Sequence, residues 1–534
     1  MPCRLNCIVG FCSCWLVHAS FAHALPIFGG ATYDASTGTG VISMAGQLGG
    51  PRVNNAGVAV GTNSGKLSGV DKGYVVTRWS PTLAPEQLQG LGTTSSGQSF
   101  PKPSAINDAG VVVGSVTRYN ELGTSLGTRP IRWDAGTTVG TELYMSADPT
   151  VSGQFGGTSG IDAAGNVYGT IGVTAGFPMR WAAGTTNGLY MPTLGTPTTG
   201  HGTGSVSFVA ANGIATGSAT AYNSSGGAMS TRPVRWNAQG EAPVDFPLVG
   251  GSFPKLSDIN DHGAVIGSLN GTAVYYPADS TTHTVLKGFA VTDAGSTTAR
   301  AIGNGDAIVG AAPKYVDGVL QYSAPVIWPT PTATPIELLS DNHGSRTTVL
   351  RVNSTGHSVG YTHDVTVSPF VDIAWLWSVD GSGINLQSLV TDPGWTLQSA
   401  YDISDTGFVV GEGGYDPDGA GPAATYRRLY SILVPQAGTY GQGDANFDTT
   451  VNFADLLVLA AHYGQTNSGD VNVADFNLDG STNFTDLLQL AAHYATGPTG
   501  SFAGDWALAQ AIVPEPSVVV SFSFIALLAR RRRP

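Results

Sequence analysis

Ala105-Ile-Asn-Asp-Ala-Gly-Val-Val-Val-Gly114, followed nineteen residues later by Trp133, is one copy of a phrase that recurs eight times in the chain. The copies close at Gly61, Gly114, Gly169, Gly217, Gly267, Gly310, Gly360 and Gly411, seven steps over 350 residues with a mean period of 50. An aromatic residue follows each in step: Trp79, Trp133, Trp181, Trp236, Tyr276, Trp328, Trp377 and Tyr430. Four of these are preceded by Arg, at Arg78, Arg132, Arg180 and Arg235. A fixed period of this length decides the architecture before any single residue does, because each unit buries its apolar face only against its neighbours.

Each unit reads as four short strands. Ala-Ile-Asn is followed by a turn of Asp or Asn with Gly, an apolar run such as Val111-Val112-Val113, then Arg-Pro-Ile-Arg-Trp133 and an apolar pair such as Leu143-Tyr144. Asn, Asp and Gly suit the hairpin because they tolerate positive φ and bond their own backbone. Trp supplies a large area for burial where sheets meet. Four strands repeated eight times are the signature of a β-propeller, with a solenoid or sandwich as the competing architectures. The expected fold is mainly β: an eight-unit propeller over residues 25–435, then a small α-helical module. The eighth unit stops at Tyr430-Ser-Ile-Leu-Val-Pro435, one strand short, and the apolar stretch Val41-Ile-Ser-Met44 is expected to supply that strand and close the ring.

The phrase Ile-Asn-Asp-x-Gly-x-Val-Val-Gly with a later Trp resembles the HAF family of bacterial extracellular repeats, over nearly all of residues 50–430. Units four (Ala210-Ala211-Asn212-Gly213) and six (Ile302-Gly303-Asn304-Gly305-Asp306) depart from it. The resemblance implies an exported protein and no established activity. Asp108, Asp162, Asp261 and Asp405 recur at equivalent turns, which marks them as turn residues; Ser404-Asp405-Thr406-Gly407 only partly matches the propeller sialidase box and lacks its Trp. His201, His262, His343, His357 and His363 show no ligand spacing. No catalytic residue is assigned, although a carboxylate pair assembled from different blades stays open.

Composition narrows the class further. With 534 residues the chain has room for two to four domains. Its net charge of −13 moves to near −18 without Arg4 and Arg530 to Arg533, which lie in ends expected to be processed. That argues against a nucleic-acid partner. All four cysteines, Cys3, Cys7, Cys12 and Cys14, precede residue 15, which excludes a disulfide scaffold, a thiolate metal site or a cysteine nucleophile in the body. Arg4, the apolar run Leu5 to Val17 and Ala22-His23-Ala24 read as a signal peptide, residues 1–24, cut after Ala24.

After a linker at 436–442 the pattern changes. Residues 452–464 return at 483–495 with ten of thirteen positions identical. Before each helix stands a run of oxygen ligands: Asp444, Asn446, Asp448, Thr450, Asn452 and Asp455, then Asp475, Asn477, Asp479, Ser481, Asn483 and Asp486. These are loop positions 1, 3, 5, 7, 9 and 12, a spacing that wraps a tight loop round one hard cation, so two calcium ions are expected. Between Gly441 and Ile512 there are eight Asp and no Lys or Arg, so folding of this stretch is expected to depend on the cation.

The duplicated stretch, residues 443–495, resembles a type I dockerin, which implies calcium binding and a cohesin-like partner. It departs at Thr449, where a loop Gly is usual, and at positions 10 and 11, Phe453-Ala454 and Phe484-Thr485, where small hydroxyl residues are frequent. Those phenylalanines, and the faces Leu456, Leu457, Ala460 and Leu487, Leu488, Ala491, are expected to pack internally, with Trp506 as a clasp.

After a linker at 496–512 comes Val513-Pro514-Glu515-Pro516, an apolar run from Val518 to Ala529, and Arg530 to Arg533. Residues 513–534 resemble the PEP-CTERM sorting signal handled by exosortase in Gram-negative bacteria. Twelve apolar positions make about 18 Å of helix, short of the roughly 30 Å hydrocarbon core, so the tail is expected to hold the membrane only before processing. The leading expectation is a secreted, surface-sorted, non-catalytic binding or structural protein of the cell surface or extracellular matrix. The rival is a glycoside hydrolase or another polysaccharide-active or glycan-binding subunit, with an extracellular polysaccharide as ligand; dockerins travel with such domains, which is analogy and not chemistry.

Overall fold

Each 50-residue period folds into one four-stranded antiparallel sheet, and eight such sheets are arranged as the blades of a β-propeller. The computed structural model describes residues 27–29, 50–67, 70–81, 83–144, 155–172, 176–198, 200–237, 241–289, 296–316, 319–340, 346–364, 371–390, 394–416, 426–434, 443, 451–464, 474, 476, 481–495 and 497–512. Blade two shows the plan: Pro101–Ile106, Val112–Tyr119, Ser125–Trp133 and Thr141–Glu142, paired in chain order. The first strand of each blade lines the central channel.

The eighth blade breaks chain order. Trp395–Ile403, Phe408–Tyr415 and Tyr426–Leu433 are completed on the outside by Ile27–Gly29, paired Ile27 to Ile432 and Gly29 to Tyr430. The N-terminus thus closes the ring, as expected, but through a different segment. Val41–Met44, the expected donor, lies outside the described residues. Closure removes the edge that blade eight would otherwise expose.

The core sits between the blades. Val60, Val76 and Leu88 of the first pack against Val112, Ile131 and Trp133 of the second, and Ala59 and Trp79 of the first pack against Phe408, Val410 and Leu429 of the eighth. The periodic tryptophans are inter-blade rivets. Trp133 Nε1 donates to Gln89 O at 2.8 Å, Trp236 to Pro192 O at 2.7 Å, Trp328 to Lys287 O at 2.8 Å and Trp377 to Leu339 O at 2.8 Å; Trp79 reaches Ser431 Oγ at 3.0 Å across the closure. Each such ring gains on the order of 2–3 kcal/mol from burial, and the polar edge is satisfied. Three of the four arginines before them staple forward: Arg78 donates to Asp134 O and Thr137 O, Arg132 to Thr185 O, and Arg235 to Pro277 O, while Arg180 donates to Tyr168 of its own blade.

The repeated closing glycine has a steric cause. Opposite Gly114 the inner strand bulges between Pro103 and Ala105, and a methyl at Gly114 would overlap the carbonyl oxygen of Lys102. The same backbone approach recurs at Gly217 against Ser205 and at Gly411 against Ser399.

Beyond the propeller, three helices are described: α1 (Phe453–His462), α2 (Phe484–His493) and α3 (Phe502–Ile512). Asn452 and Asn483 cap α1 and α2, and Asp455 and Asp486 complete a capping box in each. Leu456, Leu459, Phe476, Leu487, Leu490 and Ala509 form their shared core.

Candidate functional site

Two regions concentrate polar chemistry, the propeller's central channel and the duplicated module. At the channel's turn end the Asn and Asp residues read as hairpin residues do more than shape their own hairpins, since they tie neighbouring blades together. Asn54 Nδ2 donates to Asn107 O (2.8 Å), Asn107 Nδ2 to Asp162 O (3.1 Å), Asn260 Nδ2 to Gly303 O (3.3 Å) and Asn353 Nδ2 to Ser404 O (3.1 Å). Asp405 accepts from Ser354 N, and its own N–H donates to Asn55 Oδ1, carrying the belt across the closure. Unit six departs here too. Its left-handed turn position, glycine elsewhere, is Asp306 at φ 61°, and Asp306 Oδ1 accepts from Asn260 Nδ2 at 2.8 Å. Asn304 Nδ2 bridges Asp261 and Asp405 at 2.7 and 2.9 Å.

The channel encloses a cavity of about 440 Å³. At the position before the apolar end of the inner strand the eight units read Arg52, Ala105, Gly160, Phe208, Asp258, Ala301, Arg351 and Asp402. All but Ala301 line the cavity. Asp258 accepts the N–H of Ile302 and Asp402 the N–H of Val53, both at 3.2 Å, so each carboxylate staples its blade to the next. Arg351 Nε lies 3.8 Å from Asp402. Burial raises the Asp258 carboxyl, opposed by Arg351, and burial, with Arg351 nearby, lowers the Arg52 guanidinium. These four were not singled out from sequence. Their signal is a position of the aligned repeat that carries charge in four units and Ala, Gly or Phe in the others.

The histidines are placed apart. His201 stacks on Tyr190 with ring centroids 3.7 Å apart, His357 bonds Thr355 and His363 pairs with Asp372; His343 lies outside the described residues. Glu86, Glu142, Glu337 and Glu412 are each spent on a cation of their own blade. Among the described residues no group of three His, Cys, Asp or Glu is arranged to hold a metal.

In the duplicated module, Asp444, Asn446, Asp448, Thr450, Asp475, Asn477 and Asp479 lie outside the described residues. Asn452, Asp455, Ser481, Asn483 and Asp486 are described. Asp455 and Asp486 are fully buried carboxylates at the first turns of α1 and α2. Asp486 Oδ2 accepts from Asn483 N (2.9 Å), and Oδ1 reaches back ten residues to Phe476 N (2.7 Å), one residue past loop position 1. That is the reach a position-12 ligand needs, and an all-oxygen, acidic loop suits calcium.

The two copies are not equally covered. Leu456, Leu457 and Ala460 pack in or against the core, as do Phe453 and Leu487. Phe484 and Leu488 do not: they are 59% and 52% exposed, against the expectation of internal packing. The reason is α3, which lies along α1, where Trp506 meets Tyr463 edge-on at 5.2 Å. Trp506 is thus the clasp expected of it. Asp505, buried in α3, accepts from Thr499 N at 2.8 Å and from Tyr494 OH at 3.0 Å. Among the described residues no helix is long and apolar enough to cross a membrane, and the run from Val518 to Ala529 lies outside them.

Solved structures similar to the chain include a β-propeller domain. The β-propeller domain of the Trilobed protease from Pyrococcus furiosus, described as having an open velcro topology, shares 9% identity, with 74% of this chain and 96% of that one covered, at a TM-score of 0.37. A puromycin-hydrolysing peptidase of Mycobacterium tuberculosis shares 12%, covering 76% and 62%, at 0.35. Putative TolB from Agrobacterium tumefaciens shares 12%, covering 61% and 99%, at 0.28. With scores this low, the eight-bladed assignment rests on the sheet topology itself. A search of curated proteins finds no match. Residues 442–493 match the dockerin type I domain, a module that generally binds calcium and typically docks to cohesins, so this chain carries a dockerin type I domain beside an eight-bladed β-propeller.

Proposed function

We propose that the chain is an exported, surface-sorted, non-catalytic binding or structural protein whose dockerin module takes up two calcium ions and docks it to a cohesin-like partner. The observation that carries this is the duplicated module, with its family match and the buried Asp486 reaching back to Phe476. Asp444, Asn446, Asp448, Thr450, Asn452 and Asp455 would hold one ion, and Asp475, Asn477, Asp479, Ser481, Asn483 and Asp486 the other. The signal-like N-terminus and the PEP-CTERM-like tail support export from a Gram-negative cell, with exosortase-type processing and retention at the surface or matrix.

A second reading is favoured by the dockerin match: a polysaccharide-degrading or glycan-binding subunit. Immobilised type I cohesins should retain the full chain in calcium and release it in chelator. Retention that ignores calcium, or failure of every cohesin tried, would count against docking. Turnover of a glycan panel would move the assignment to the second reading.

A further inference from the structure

Blade packing explains the aspartates of the channel and leaves its arginines over. Asp258 and Asp402 serve main-chain N–H groups of the next blade. Arg52, with five N–H donors, is attracted by Asp402 and Asp258 yet makes one long hydrogen bond, to Pro51 O at 3.4 Å, and Arg351 meets Leu350 O at 3.2 Å and Asp402 at 3.8 Å. The two project from blades one and seven, either side of blade eight, into the same cavity. A guanidinium offers a planar fork that matches a carboxylate bidentately. The turn end of the cavity is the opposite: Asn55 and Asn304 are engaged with Asp108, Asp261 and Asp405, whose carboxylates keep lone pairs as further acceptors. A bare inorganic anion would be repelled there, whereas hydroxyl groups would find acceptors. Phe208, half-buried in the wall, offers an apolar face to a ring, and about 440 Å³ lies within the range of small-ligand sites.

We infer that the channel binds an acidic sugar, its carboxylate held between Arg52 and Arg351 and its hydroxyls against the acceptor-rich turn end. This rests on and deepens the glycan-binding reading, and it is independent of docking, since it uses no residue of the dockerin module. The ligand is either a free sugar acid or the end of an acidic polysaccharide.

Calorimetry on the full chain with D-galacturonate, trigalacturonate and D-galactose tests it. Saturable binding of an acid is expected, with galactose weaker by about tenfold or more, the value of a charged hydrogen-bonded contact. Arg52→Gln and Arg351→Gln should each weaken the acid by a similar factor. Arg52→Lys, which keeps the charge and loses the fork, should fall between and guards against a variant that fails to fold. Trigalacturonate bound at least as well as the monosaccharide identifies a chain end, and preference for the monosaccharide identifies a free sugar acid. The inference is overturned by no saturable binding of either acid at millimolar concentration, by equal binding of galactose, or by acid binding unchanged in the arginine variants.

Discussion

Gly114 shows how one atom constrains a blade. Its strand passes under a bulge, and a Cβ would enter the Lys102 carbonyl, so Gly114→Ala should destabilise the propeller by about 1–3 kcal/mol, the cost of overpacking a tight site. Chemical denaturation followed by tryptophan fluorescence measures it, and an unchanged midpoint would contradict the steric account. Trp133 is the complementary case. Trp133→Ala empties an inter-blade site and orphans Gln89 O, with an expected loss of about 3–5 kcal/mol in the same assay. The recurrence of both residues was legible because every blade needs them. Arg52, Asp258, Arg351 and Asp402 were not, because a repeat hides whatever differs between its copies, and these differ from blade to blade at the channel wall.

At the scale of the element, the dockerin module pairs two near-identical sequence copies with unequal surroundings. Leu488 and Phe484 read as core because they repeat the apolar positions of the first copy; the difference is made by α3, a helix within the stretch read as a linker, which covers the first copy. Its attachment depends on an ionised Asp505. Burial opposes that charge, but the donors from Thr499 and Tyr494 outweigh it and hold the carboxyl below the ordinary carboxylate range. A carboxyl depressed in the folded state contributes stability above its unfolded pKa, and that contribution is lost as pH falls through the folded value. Packing of α3 should therefore weaken on acidification below the ordinary carboxylate pKa of about 4. Trp506 fluorescence against pH reads this, and Asp505→Asn should flatten the profile. An identical acid transition in that variant would assign the change to another group.

For the whole molecule, the eight-fold period made the ring legible, and the missing last strand announced that the N-terminus must close it. Which residues do so was not legible: Ile27–Gly29 is too short to show alternation, and Val41–Met44 is the more apolar stretch. Deleting Ile27–Gly29 should cost on the order of 1–4 kcal/mol, the value of a few backbone hydrogen bonds and a re-exposed edge. A thermal melt of the deletion variant checks this, and no shift would place closure elsewhere. Among the described residues the propeller brings together no metal-suited cluster, whereas the dockerin module is proposed to fold on calcium, so the two parts should respond separately to chelation. Calorimetric calcium titration of the full chain, with Asp455→Ala and Asp486→Ala beside it, tests the central claim most directly. Two bound ions, each lost with its own variant, are predicted; no binding at millimolar calcium, or binding indifferent to both substitutions, would contradict a calcium-loaded docking module on this propeller.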